Sequence, residues 1–405
     1  MPQFIYGILR IREGKMLIRR SGSLILAIVL IFSTLACNLL SLKEDHSPDP
    51  QEVGNILNAA STEETVFSEV RPANTAVTGS APDIEIDYIY TDGLITSLYH
   101  LYGNVLDHFV DITLTNNGNE SVTLLVETNI EGYSTTSSDT IDVAPNDQVT
   151  IHQNPRLIPD AVDKLNSEQP GNFHIQVTQL NDGEDNILLK ESSQILLYSR
   201  RDYVWISGFE TQENYEFFAA WITPTDPAVE ELIRHAADYT SSGMMWSGYG
   251  GNVNDESGGV WERLEAIWLA EEHNYNITYI STMIAFGPNT VQRMRMPYEV
   301  IDQASGNCIE LANLYASAAE ALGLEAAIIR IPGHAYIGVR MDEENANYYF
   351  IETTLIGQTD FSQAVDVGKQ EWEETLPHLD AQEEGYAWIE IAEAREKGIL
   401  PMPWR

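Results

Sequence analysis

Along residues 84–200 apolar and polar positions alternate. Val110, Ile112 and Leu114 interleave with Asp111, Thr113 and Thr115, and after the turn Asn116-Asn117-Gly118-Asn119 the series resumes at Val122, Leu124 and Val126. Ile141/Val143, Val149/Ile151 and Phe173/Ile175/Val177 repeat it, with turn residues such as Pro145-Asn146-Asp147 between them. Successive side chains of a strand point to opposite faces, so a period of two predicts half-buried strands. Their short spacing and polar turns predict an antiparallel β-sandwich. After Arg200-Arg201 the period becomes helical. Val229, Leu232, Ile233 and Ala236 form one apolar stripe over 228–239, with Pro227 suited to a first helical turn, and Trp261, Leu264, Ile267 and Trp268 form another over 260–272. Between them, 241–259 is rich in Gly and polar residues and reads as a connector or as a lid over a cleft. A third helix starts at Cys308, with Asn307 as its N-cap, and runs to Leu322, where Gly323 closes it. Strands follow over 326–331, from His334 onward, and over 348–352, joined by Pro332-Gly333 and by a polar turn at 342–347. The fold class predicted is α+β: a sandwich module over 84–200, then an α+β domain over 201–405.

The first 36 residues stand apart. Arg19-Arg20 precede an unbroken apolar run from Leu24 to Phe32, and Ser33-Thr34-Leu35-Ala36 lead to Cys37. A basic flank, a short apolar core and a small residue before the cut describe a secretory signal, and the run is short for a spanning helix, which needs ~20 apolar residues. The box before Cys37 resembles the cleavage site of bacterial lipoproteins, although Thr34 stands where Leu is usual; the resemblance implies a lipid on Cys37 and a folded part outside the cytoplasm. The alternative is an uncleaved signal anchor. Residues 37–83, rich in Ser, Thr, Glu, Asp, Pro and Ala, bury too little apolar surface to fold and read as a disordered linker. The strand-and-turn arrangement that follows is similar to the immunoglobulin-like modules of bacterial surface proteins. His108, His152 and His174 within it read as surface or packing residues rather than ligands.

Charge and cysteine content then exclude whole classes. The chain has 405 residues, with 22 Lys and Arg against 61 Asp and Glu, a net charge of −39. Binding a nucleic-acid backbone needs basic side chains to displace counterions, so no nucleic-acid partner is expected. Two cysteines exclude a disulfide framework and a Cys-rich metal site. There is no His-Glu-x-x-His, no Gly-x-Ser-x-Gly and no phosphate-binding loop ending in Lys-Ser/Thr, and neither cofactor nor metal is expected. Acidic pairs such as Glu271-Glu272 would suit a glycosidase, but an acidic chain produces such pairs anyway.

The chemistry-bearing positions lie in the C-terminal half. Cys308 opens a helix, His334 opens a strand, and Glu352 ends the next strand, on a face it shares with Phe350. A thiol at a helix N-terminus faces the positive end of the dipole, which favours thiolate, and the free N–H groups there can hold an oxyanion. A histidine within reach serves as its base, and a carboxylate fixes the imidazole tautomer. The words Gly306-Asn307-Cys308, His334-Ala335-Tyr336 and Phe350-Ile351-Glu352-Thr353-Thr354 resemble the transglutaminase-like superfamily of papain-type thiol enzymes over roughly 277–357. That resemblance implies Cys308 as nucleophile, His334 as base and Glu352 as orienting acid, acting on the amide bonds of a peptide or protein substrate. Glu352 replaces the family's usual Asp, the Cys–His separation is short for the family, and Gln292 is the candidate oxyanion side chain. The competing expectation is a non-catalytic cell-surface binding lipoprotein that keeps the fold.

Overall fold

A computed structural model describes residues 77–81, 83–91, 93–204, 215–249, 259–281, 291–343 and 347–403. The export segment, Cys37 and most of the expected linker lie outside the described residues. The N-terminal strands are β1 (Val77–Ala81), β2 (Ile84–Tyr90), β3 (Gly93–Ile95), β4 (Val110–Asn116), β5 (Val122–Ile130), β6 (Ser134–Thr135), β7 (Ser137–Val143), β8 (Asp147–Gln153), β9 (Arg156–Leu157), β10 (Gln169–Leu180) and β11 (Asn186–Tyr198), with one short helix, α1 (Pro159–Val162). They form a four-stranded sheet, β1-β2-β4-β8, and a five-stranded sheet, β3-β11-β10-β5-β7, beside a small β6/β9 pair. Alternation does what the sequence requires: Ile86, Ile112 and Leu114 of one sheet and Val126, Phe173 and Val177 of the other join a single buried core.

The polar turns after β4 and β7 close no hairpins. β4 and β8 belong to one sheet and β5 and β7 to the other, so residues 117–121 and 144–146 carry the chain across the sandwich. Asn116 holds the first crossing by donating its amide to the carbonyls of Glu120 and Val143. β1 lies inside the stretch expected to be linker. It pairs with β2 along its whole length, and an edge strand takes its stability from ladder hydrogen bonds, which need no apolar pattern.

The C-terminal elements are β12 (Asp202–Val204), α2 (Pro227–Ala236), α3 (Val260–His273), β13 (Thr278–Tyr279), β14 (Val291–Arg293), α4 (Pro297–Gln303), β15 (Ser305–Gly306), α5 (Cys308–Ala321), β16 (Ala326–Ile331), β17 (His334–Arg340), β18 (Tyr348–Ile351), α6 (Phe361–Asp380), β19 (Ala387–Glu390) and α7 (Ile391–Glu396). An antiparallel sheet of order β18-β17-β16-β19 organises them. Leu311, Leu314 and Tyr315 of α5 share a core with Ile328, Ile337 and Val339, while Ile329, Tyr336 and Phe350 pack with Trp372 of α6 and Trp388 of β19. Leu98 and Leu101, from a 3-10 turn of the N-terminal half, insert into the C-terminal core, and all the described residues belong to one compact unit. No helix among the described residues is long and apolar enough to cross a membrane.

Candidate active site

α5 begins where the local chemistry dictates. Asn307 accepts a hydrogen bond from the Glu310 amide at 3.1 Å, and Glu310 accepts one from the Asn307 amide at 3.0 Å, a complete capping box. Arg295 then clamps Glu310, with its Nη2 2.6 Å from Oε2. The run-up is fixed by β15 beside β13, with the Ile280 amide donating to the Gly306 carbonyl at 2.8 Å. Cys308 is thereby the first residue of a 14-residue helix, and it is fully buried. It stands at the end of the helix where the first-turn N–H groups have no partners within the helix.

His334 opens β17, and the register Ile337↔Ile351, Gly338↔Phe350 continues to place Glu352 opposite Tyr336, two residues along the same face. The side chains meet there: Nε2 of His334 lies 2.7 Å from Oε2 of Glu352, with both groups buried. Glu352 is held from its other side by the Thr354 amide at 2.8 Å and by the Thr354 hydroxyl, and its own amide donates to the Ala364 carbonyl at 3.0 Å. Nε2 being taken, Nδ1 is the ring nitrogen left for the thiol; it is buried and has no partner of ordinary hydrogen-bond geometry among the described residues. Burial alone would lower the imidazole's pKa, but the Glu352 carboxylate, the Cys308 thiol and Glu371 together hold it well above the usual histidine value. Burial pushes Glu352 up, and the imidazolium, with hydrogen bonds from His334, Glu371 and Thr354, brings it below the usual carboxylate value. The three residues singled out from the sequence are brought together. Gln292, the candidate oxyanion side chain, is buried on β14 with Nε2 donating to the Arg293 carbonyl at 2.7 Å.

Two further residues reach this site. Tyr279 on β13 is close enough to Cys308, His334 and Glu352 for their charges to act on its hydroxyl, whose pKa is raised, chiefly by burial. Glu371 on α6 places Oε2 3.8 Å from Nε2 of His334. It comes so near because α6 lies against β18 at Gly368, where a Cβ would stand 2.6 Å from the Phe350 carbonyl. A signal for it exists in the sequence. Phe361, Ala364, Gly368 and Thr375 form the buried stripe of α6, and Glu371 falls in phase with it.

Ligand atoms of His334, Glu352 and Glu371 lie within 4.8 Å of one another, as do those of His108, Asp111 and His152 on the sandwich. Two ligands on one tetrahedral zinc stand about 3.3 Å apart. The His334–Glu352 separation of 2.7 Å and the His152–Asp111 separation of 2.6 Å have the spacing of hydrogen bonds instead. His108 stacks on His152 with ring centres 4.6 Å apart. His174 lies 3.6 Å from Glu131. Of the Gly-rich loop, 241–249 is described and docks at the far end of α5 from Cys308: the Gly248 amide donates to the Leu322 carbonyl at 2.7 Å, and Tyr249 accepts from the Glu325 amide at 2.8 Å. Residues 250–258 lie outside the described residues. Glu271 is buried in the core, where desolvation holds its carboxyl well above the usual pKa, so Glu271-Glu272 makes no paired-carboxylate site.

No family model matches the chain, and no curated protein matches it. Among solved structures, a protein from Archaeoglobus fulgidus is 8% identical, over 31% of this chain and 94% of its own, with a TM-score of 0.19. The solution structure of AT1g01470 from Arabidopsis thaliana is 10% identical over 34% and 94%, with a TM-score of 0.17. A provisionally assigned cysteine protease from Cytophaga hutchinsonii is 12% identical over 70% of this chain and 80% of its own, with a TM-score of 0.21. At such scores the likeness carries no argument about activity, which must come from the site itself.

Proposed function

We propose that the chain is an exported thiol enzyme of the transglutaminase-like class, built on an immunoglobulin-like sandwich over 84–200 and held at a membrane by a lipid on Cys37, that cleaves or transfers amide bonds of peptides or proteins. The observation supporting this most is the buried His334 imidazole, with Nε2 on Glu352 and Nδ1 left for the thiol that opens α5. Sγ of Cys308 attacks the amide carbonyl carbon, and the oxygen takes up negative charge beside the N–H groups of the helix start. The C–N bond breaks as the proton of the imidazolium passes to the departing amine, leaving an acyl-thioester. Water, giving a proton to His334, then hydrolyses it; an amine in place of water gives transfer. Glu352 keeps Nε2–H directed at itself, so that Nδ1 does the proton transfer.

The test is the rate at which iodoacetamide labels Cys308 as a function of pH, read on its peptide by mass spectrometry, in wild type and His334→Ala. Appreciable labelling below pH 7 in wild type alone is expected; identical profiles in the two proteins overturn the triad. The complete burial of Cys308 favours a second reading, a non-catalytic surface-binding lipoprotein, which labels only when unfolded. Cys37→Ser checks the anchor separately: release from membranes, or loss of a processing that the wild type shows, supports lipidation, whereas membrane retention with the signal still attached in both proteins establishes a signal anchor.

A further inference from the structure

Glu371 poses a problem that a three-residue account leaves unsolved. Its Oε2 is buried, has no hydrogen-bond partner of ordinary geometry among the described residues, and lies beyond hydrogen-bond reach of Nε2, at 3.8 Å. The groups facing it are Glu352 at the end of β18, His334 and Tyr336 on β17, and Glu374 on its own helix, so His334 is the one cation among them. The imidazolium donates an Nε2–H hydrogen bond to the Glu352 carboxylate at 2.7 Å. A second carboxylate here would be a buried anion beside an anion, which proteins avoid by keeping one proton between the two.

We propose that Glu371 is the positioning residue of this site: a neutral carboxylic acid that donates its O–H to the Glu352 carboxylate and holds it in line with His334. The inference rests on the triad reading. The geometry brings the two carboxyls near each other, since Gly368 sets α6 against β18, Glu371 follows one turn later on the buried stripe, and ligand atoms of His334, Glu352 and Glu371 lie within 4.8 Å of one another. Its protonation state agrees: burial first, then the charge of Glu352, raise the Glu371 carboxyl well above the usual value, while Glu352 stays below it. The hydrogen bond from Glu371 stabilises the ionised form of Glu352, and a neutral Glu371 leaves His334 facing one carboxylate rather than two. The imidazolium is thereby held in the correct tautomer and can still release its proton to the leaving amine.

The experiment compares Cys308 labelling profiles from pH 5 to 9 in Glu371→Gln, Glu371→Ala and Glu371→Leu, with His334→Ala as reference and thermal unfolding recorded for each. Gln keeps a neutral donor and should rescue labelling at pH 6 to within about threefold of wild type, whereas Ala should lose at least about tenfold, the lower end of the cost of one hydrogen bond to a charged group. Leu fills the volume without a donor; it should match Ala and stands in for it if Ala does not fold. Equal loss in Gln and Leu would mean that the negative charge, not the donated proton, is what His334 needs, and the proposal falls. Profiles unchanged in all three, with only the melting temperature moved, overturn it as well. If His334→Ala itself labels like wild type, it is the triad that has failed, a result distinguishable from either.

Discussion

The two halves of the molecule bury different things. Between β1 and β11 the buried polar side chains are Thr, Ser, Asn and Gln, and none carries a charge among the described residues. From Asp202 onward the buried set includes Arg263, Glu271, Glu299, Glu310, Arg330, His334 and Glu352. Both halves have apolar cores. Ionisable groups enter an interior at a cost and are kept there by partners, as Glu310 is by Arg295, or by altered protonation, as at His334 and Glu352, and the second kind marks a candidate for chemistry. The sandwich excludes charge and gains shape. The C-terminal half accepts charge around the start of α5 and the end of β18, and this is where the candidate triad lies.

The contrast is broken most directly at Arg295. Arg295→Ala strands Glu310, whose side chain is 4% exposed, without its cation, and losing one partner of a buried pair costs about 3–5 kcal/mol. Because Glu310 also closes the capping box of α5, labelling of Cys308 should fall together with the unfolding free energy, both measured on the same protein in urea titrations. Full stability in this variant would mean that the buried charges of the C-terminal half are incidental.

Glycines give the next-largest difference. Gly368→Ala sets a Cβ 2.6 Å from backbone atoms of Phe350, so α6 must move, at a cost of about 1–3 kcal/mol, carrying Glu371 away from His334. Gly183→Ala in the sandwich meets nothing within 4 Å and should change the midpoint of chemical denaturation little, in the stabilising direction if at all. Equal shifts in the two variants would remove the distinction between a helix docked tightly on its sheet and an open turn.

These positions also show what can be read from residue order. The start of α5 was legible to the residue, because Asn307 and Glu310 are neighbours in sequence and a capping box is a local contest for backbone groups. The strands at 110–116 and 122–130 were legible for the same reason, since alternation is local, and those at 326–331 and 334–340 were legible as short runs set off by the Pro332-Gly333 turn. Cys308, His334 and Glu352 were legible as residue types on particular elements. Pairing was not. Nothing at Asn116–Asn119 says that the chain changes sheets there, and nothing at Ala387–Glu390 says that this segment lines the far edge of β16, because register is settled by cores that only the folded chain assembles. The burial of Glu371 is written in the stripe of α6, whereas its approach to His334 depends on a docking distance set by Gly368 against a strand distant in sequence.

Glu271 sharpens the comparison through pH. Desolvation raises its carboxyl well above the usual 4.5, so the folded state holds this proton more tightly than the unfolded chain. The sign follows: the contribution is fully present below the unfolded value near 4.5 and is lost as pH rises through the folded value. Glu271→Gln should therefore stabilise the protein at pH 8 and change little at pH 5, as recorded by denaturant midpoints at both. A variant destabilised more at pH 8 than at pH 5 would mean that Glu271 is an ionised, paired group.

The smallest effect belongs to the sandwich. His152 and Asp111 are direct cross-strand partners on β8 and β4, 2.6 Å apart, and their side chains are 48% and 49% exposed. Water already solvates both groups, so removing one strands no buried charge; exposed pairs of this kind contribute about 0–1 kcal/mol and weaken further in salt. Asp111→Asn keeps the shape and a hydrogen-bonding side chain, and should shift the denaturation midpoint by less than Arg295→Ala at every salt concentration, with Cys308 labelling unchanged. The labelling readout matters more than the stability. A change in Cys308 reactivity on altering an exposed pair in the N-terminal sheet would couple the two halves energetically, through the shared packing of Leu98 and Leu101, and the sandwich could then no longer be described by its shape alone.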